Sequence, residues 1–183
     1  MGKFFIGAKI FILAKLNNYQ RSDERWFRRI NDSYLKCSLL DSVMLFLTYI
    51  GEFSVPAILL YGFMLSESKA WCLYSIESVT AVSLLVIFLK IFVSRKSPVE
   101  TLHKVNLIGF NNSKSKSFPS MCAALSFAVA TVIIIYFNDY VSLLLLAIMI
   151  SFSRIYTGIC YPLDVISGAI IGIIVPIVML FLL

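Results

Sequence analysis

Charge is scarce in this sequence. Lys, Arg, Asp and Glu make up 14% of its 183 residues, against 60% hydrophobic residues. Soluble domains carry roughly a quarter of their residues as charge, so a water-exposed globule is excluded. Cysteine is sparse as well. Cys37, Cys72, Cys122 and Cys160 show no CxxC spacing and no repeat, which leaves neither a zinc ribbon nor a dithiol redox motif. Cys37 and Cys72 read as small, inert packing residues. Histidine occurs once, as His103, in a loop. No internal repeat or low-complexity tract is evident. A cleavable leader is not expected, because Lys9 splits the first apolar stretch and no small-residue cleavage site follows. Ile6 stands where a myristoylation signal needs Ser or Thr.

What the chain has in abundance is long apolar runs. A bilayer core of about 30 Å takes roughly 20 apolar residues as helix. Four segments qualify, about Ser42 to Leu65, Trp71 to Val93, Pro119 to Phe137 and Pro162 to Leu183. A fifth, about Tyr140 to Tyr156, is shorter but continuously apolar through "VSLLLLAIMI". The connections "SESK" and "ND" are so short that the helices they join must be antiparallel neighbours. The N-terminal "KFFIGAKIFILAKL" gives about 21 Å of helix, too little to span comfortably. Its Lys3, Lys9 and Lys15 point about 120° apart on a helix, so it reads as a tilted or interfacial helix. The sequence therefore predicts an all-α membrane bundle of five to six transmembrane helices. Residues 1–29 form an interfacial or short membrane helix with a basic linker, and 30–183 form the membrane domain. A multi-pass protein of the cell membrane, plasma or inner, is expected.

Counting helices places residues 17–40, the loop 94–118 and the region of Arg154 on one side of the bilayer. That side holds twelve of the sixteen Lys and Arg residues if Lys90 is included, and the other holds only Lys69. The positive-inside rule would make this face cytoplasmic. Cations gathered for an anionic head group would look the same on either side, so the orientation stays open. Lipid, not nucleic acid, is the expected partner of this charge, and no protein partner is indicated.

Three short stretches meet on that charged side: "KIFVSRKSP" (90–98), "SFPSMCAA" (117–124) and "SRIYTGICYPLDVISGAIIG" (153–172). Each puts small polar or cationic groups at a helix end, where free backbone N–H groups and fixed cations favour an anion. Together they point to a phosphate-sized anion site at head-group level. A basic loop alone would need only anionic lipid at its surface.

These stretches resemble the type 2 phosphatidic acid phosphatases, relatives of the vanadium haloperoxidases. That family's motifs are Lys, six residues, Arg-Pro; then Pro-Ser-Gly-His; then Ser-Arg, five residues, His, three residues, Asp. Lys90 and Pro98 match the first, with Ser97 in place of Arg. Pro119 and Ser120 match the second, with Met121 and Cys122 in place of Gly and His. Ser153, Arg154 and Asp164 match the third at the right spacing, with Cys160 in place of His. "INDSYLKCSLLDSVMLFLTYIGE" (30–52) and "DVISGAIIG" are similar to the family's early and last helices. The resemblance spans about residues 30 to 183.

It implies hydrolysis of phosphate monoesters or diphosphates of membrane lipids: phosphatidic acid, phosphatidylglycerophosphate, polyprenyl diphosphate or lipid A. No metal or other cofactor is implied. In the family the third-motif His attacks phosphorus, the Asp orients it, and the second-motif His protonates the leaving oxygen. Carried over, Lys90, Ser120 and Arg154 would hold phosphoryl oxygens, and Asp164 would orient whatever stands at 160. The nucleophile and the acid are replaced by Cys160 and Cys122, and one cation is lost at Ser97. Acid–base assistance contributes about 10²–10⁴-fold, so the expectation is an altered or inactive phosphatase.

Three readings of the cysteines remain open. They fill space in a disused site; or Cys160 is a thiolate nucleophile favoured by Lys90 and Arg154 and opposed by Asp164; or the two thiols form a disulfide or hold a metal. Both are expected to face one pocket.

Overall fold

Why the helices fall where they do is visible at their ends. The computed structural model describes residues 20–32, 37–65, 69–102, 104–109, 116–137 and 142–182. The N-terminal segment through residue 19, His103, Lys114 and the side chain of Cys72 lie outside them. After a helix over residues 20–31 (α1) come α2 (Ser38–Leu65), α3 (Lys69–Val93), the single turn α4 (Pro98–Thr101), α5 (Met121–Phe137), α6 (Ser142–Tyr156) and α7 (Pro162–Leu182). The five apolar runs correspond to α2, α3, α5, α6 and α7. Among the described residues, Leu73–Thr101 and Pro162–Leu182 are long and apolar enough to cross a membrane.

Burial runs opposite to that of a soluble protein. Thr48, Ser75, Ser78, Ser153 and Asp164 are buried, while Leu73, Leu84, Phe88 and Phe92 of α3 and Ile170, Ile174 and Phe181 of α7 are exposed. Large apolar side chains facing outward along whole helices fit a lipid solvent. Helix association in lipid relies on close approach of small residues. Between α5 and α7, Gly168 and Gly172 lie against the backbone of Ser120, Ala124 and Ala128. Ala124 and Ala128 join Val82 and Val86 of α3 in one buried cluster.

Residues 20–29, expected to belong to a basic linker, lie within the helix α1, which docks on the bundle. Phe27 is 1% exposed and stacks edge-on against Tyr161 with ring centroids 5.4 Å apart. Asn31 donates to the carbonyls of Asn106 and Tyr156, both at 3.1 Å, and accepts the Asn106 N–H at 2.9 Å. One side chain thereby ties α1 to the end of α6 and to the chain after α4.

The start of α7 has a cap split between two helices. Pro162 occupies the first helical position, where its missing N–H costs nothing. Asp164 reaches back to the Tyr161 N–H at 3.3 Å, while Asp23 of α1 accepts the Leu163 N–H at 2.9 Å. These are the two halves of a capping arrangement, supplied from opposite ends of the chain.

Candidate functional site

The site forms where α3, α5 and α6 end or begin around the 157–161 turn. Gly158, at φ +88°, carries the chain out of α6. The Arg154 carbonyl then accepts the N–H groups of Ile159 and Cys160, at 3.1 and 3.2 Å. This turn buries Cys160 beside Ser120. The Sγ–H of Cys160 donates to Ser120 Oγ at 3.8 Å, and the Ser120 N–H donates to the Asp164 carbonyl at 2.9 Å. Ser120 Oγ also accepts the Ala123 N–H at 3.4 Å, capping α5.

Lys90 near the end of α3 lies within electrostatic reach of Cys160, Arg154 and Asp164. Cys160 likewise senses Arg154, Asp164 and Lys90. The structure therefore brings Lys90, Ser120, Arg154, Cys160 and Asp164 together. Burial pushes the Cys160 thiol above the ordinary cysteine range and Asp164 adds to this, against the pull of Arg154, Ser120 and Lys90. The resting group is a neutral thiol.

Cys122 packs between α2 and α6. It clusters with Leu47 of α2 and Ile150 of α6, and a Cβ added at Gly51 would come within 2.6 Å of its Sγ. Cys160 belongs to a separate cluster with Phe27, Ala123 and Tyr161. Neither is in a disulfide, nor is Cys37. Among the described residues no three His, Cys, Asp or Glu side chains gather as a metal site would need.

Two residues outside the three motif positions, Arg95 and Asp23, enter the ion pairs of the site. Ser94 leaves α3 with φ +46° and turns Arg95 inward. The Arg95 guanidinium bonds Asp164 Oδ1 through one nitrogen and Asp23 Oδ2 through the other, each at 2.6 Å. Its Cζ sits 4.3 Å from the centroid of the Tyr161 ring, and the Tyr161 hydroxyl is 2.6 Å from Thr101 Oγ1. The Asp164 carboxylate is thus occupied by Arg95 and the Tyr161 N–H, and serves the cap and the ion pair. Ser97, where the resembled motif has Arg, is fully buried in the turn before α4. Asp23 carried one available signal, an acid four residues before Phe27 on the same helix face.

Lys90 and Arg154 share the surroundings of Cys160 with one carboxylate, Asp164, which is itself paired with Arg95. Two cations beside an already paired carboxylate favour an anion.

An all-helical membrane bundle with cationic side chains gathered at its helix ends is the architecture that results. A sequence model of the PAP2 superfamily matches residues 71–182, and the chain belongs to that superfamily. Over 150 residues it is 29% identical to the bacitracin transport permease protein BcrC of Bacillus licheniformis, covering 80% of this chain and 73% of the relative. The crystal structure of LpxE from Aquifex aeolicus is similar with a TM-score of 0.75 and 34% identity, over 86% of this chain and 93% of that one. A transmembrane PAP2-type phosphatidylglycerolphosphate phosphatase from Bacillus subtilis gives a TM-score of 0.74 at 20% identity, over 94% and 90%, a likeness of fold alone. The protein is a lipid phosphatase-like membrane protein of this superfamily.

Proposed function

We infer that this protein binds the phosphate or diphosphate head group of a membrane lipid between Lys90, Ser120 and Arg154, without histidine-type hydrolysis. Phosphatidic acid, phosphatidylglycerophosphate, polyprenyl diphosphate and lipid A are the candidate ligands, and a multi-pass protein of the plasma or inner membrane is the setting. The observation that carries this reading is the 2.6 Å pair between Arg95 and Asp164. It engages the carboxylate that would otherwise orient a nucleophile at position 160, while Cys160 remains a buried neutral thiol. Lys90 and Arg154 have an anion's worth of charge to offer and no catalytic pair to serve.

The reading in which Cys160 attacks phosphorus draws on the same Lys90 and Arg154, which favour a thiolate. The burial of the thiol and the proximity of Asp164 act against it.

Equilibrium binding of phosphatidic acid and polyprenyl diphosphate to the purified protein tests the proposal. A charge-assisted hydrogen bond contributes about 1.5–3 kcal/mol, so Lys90→Ala or Arg154→Ala should weaken binding roughly ten- to hundredfold. Binding indifferent to both substitutions would remove the head-group site.

A further inference from the structure

A second lipid-facing feature lies outside the anion site, on α1. At about 100° per residue, Arg21, Arg25, Arg28 and Arg29 fall within an arc of about 100°. All four are exposed. The buried residues of the helix, Asp23, Phe27 and Asn31, are centred about 150° away. The chain has six arginines. Four form this stripe, and the other two, Arg95 and Arg154, belong to the anion site. Asp32 lies in the same arc and Glu24 beside it, leaving four cations against two carboxylates, and among the described residues the ion pairs are both Arg95's.

Two further observations say what the stripe meets. Asp23 binds the Leu163 N–H at the start of the spanning helix α7, and Asn31 binds the Tyr156 carbonyl at the end of α6. The helix is therefore fixed at the end of the bundle, at the level where a bilayer's head groups begin. On the flank of the stripe, Trp26 is 59% exposed and carries Arg29 over its ring, with Cζ 5.5 Å from the centroid. Tryptophan is enriched at membrane–water interfaces, where one end of its ring is apolar and the other wet.

We propose that the outer face of α1 is a docking surface for anionic phospholipid head groups, with the four arginines on their phosphates and Trp26 seated in the interface. Arginine suits this role because its planar fork takes two phosphate oxygens at once. The surface is separate from the Lys90–Arg154 site, and the proposal stands whether or not that site hydrolyses anything.

The full-length protein is reconstituted in nanodiscs of phosphatidylcholine alone or mixed with phosphatidylglycerol. Trp26 is read by quenching with lipids brominated near the head group, as the difference between wild type and Trp26→Phe. The chain's other tryptophan, Trp71, is 4% exposed and contributes little to that difference. Quenching should rise when phosphatidylglycerol is present and fall with added salt. Phosphatidylglycerol retained through purification from mixed lipid is then compared for wild type, the fourfold Arg→Gln variant and the fourfold Arg→Lys variant. The Gln variant should lose roughly tenfold or more of the enrichment, and the Lys variant should keep most of it. Should the Gln variant fail to fold, salt-sensitive quenching in the unmodified protein decides alone. Trp26 quenched by aqueous iodide but not by brominated lipid overturns the proposal. So does equal phosphatidylglycerol enrichment in wild type and Gln variant.

Discussion

Arg95 and Asp164 are joined by a 2.6 Å ion pair in which the carboxylate is fully buried. The pair ties the loop after α3 to the first turn of α7, and Asp23 at 2.6 Å on the second nitrogen extends it to α1. Three elements distant in sequence are held by one guanidinium.

Removing that guanidinium strands two buried carboxylates. Arg95→Gln should destabilise the protein by about 3–5 kcal/mol, the cost of breaking a buried pair from one side. Asp23→Asn should cost less, because its remaining oxygen can still accept the Leu163 N–H. Thermal unfolding in detergent reads both, and an Arg95→Gln protein as stable as wild type would mean the pair is incidental.

Close approach of α5 and α7 depends on two missing side chains. A Cβ at Gly168 would strike the Ser120 carbonyl, and one at Gly172 the Ala124 carbonyl. Backbone cannot step aside as a flexible side chain can. Each Gly→Ala change should cost about 1–3 kcal/mol. Neutral substitutions at both positions would contradict the packing of these helices.

Ser94 predicts a change of the opposite sign. A left-handed conformation at a non-glycine residue costs about 1–2 kcal/mol, and Ser94 holds φ +46°. Ser94→Gly should therefore raise stability by up to about 1 kcal/mol once glycine's greater unfolded-state freedom is subtracted. A fall in the unfolding midpoint would show that the Ser94 hydroxyl, which bonds the Ile91 carbonyl at 2.8 Å, outweighs the backbone strain.

Much of this architecture can be read from the chain because lipid imposes a length rule. An apolar run of bilayer thickness has few choices but helix, so the runs at 42–65, 71–93, 119–137, 140–156 and 162–183 mark α2, α3, α5, α6 and α7. The family resemblance also picks out Lys90, Ser120, Arg154 and Asp164, which the fold places near Cys160. Asp23 was not legible. It lies 140 residues from the Leu163 N–H it binds, and beside four arginines it looks like one more solvated charge.

The thiol of Cys160 gives a pH signature. Its folded pKa lies above the ordinary value of about 8.5. Below that pH the thiol is protonated in folded and unfolded chains alike and adds no pH dependence. Above it the unfolded chain releases its proton first, so this residue's contribution to stability falls as pH rises toward the folded pKa. Alkylation of Cys160, followed by peptide mass spectrometry, should be slow near neutrality and rise only in alkali. Rapid labelling at neutral pH, blocked by a phosphate analogue, would reveal a thiolate in the anion site.

Phosphate release tests the central claim most directly. Wild type and Cys160→Ser, reconstituted in lipid, are given phosphatidic acid, phosphatidylglycerophosphate and polyprenyl diphosphate, and inorganic phosphate is followed over time. Binding without histidine-type hydrolysis predicts release at the protein-free background for both proteins on every lipid. Turnover abolished by Cys160→Ser would make the cysteine a nucleophile, and turnover that survives it would require a nucleophile elsewhere. Either result contradicts the account.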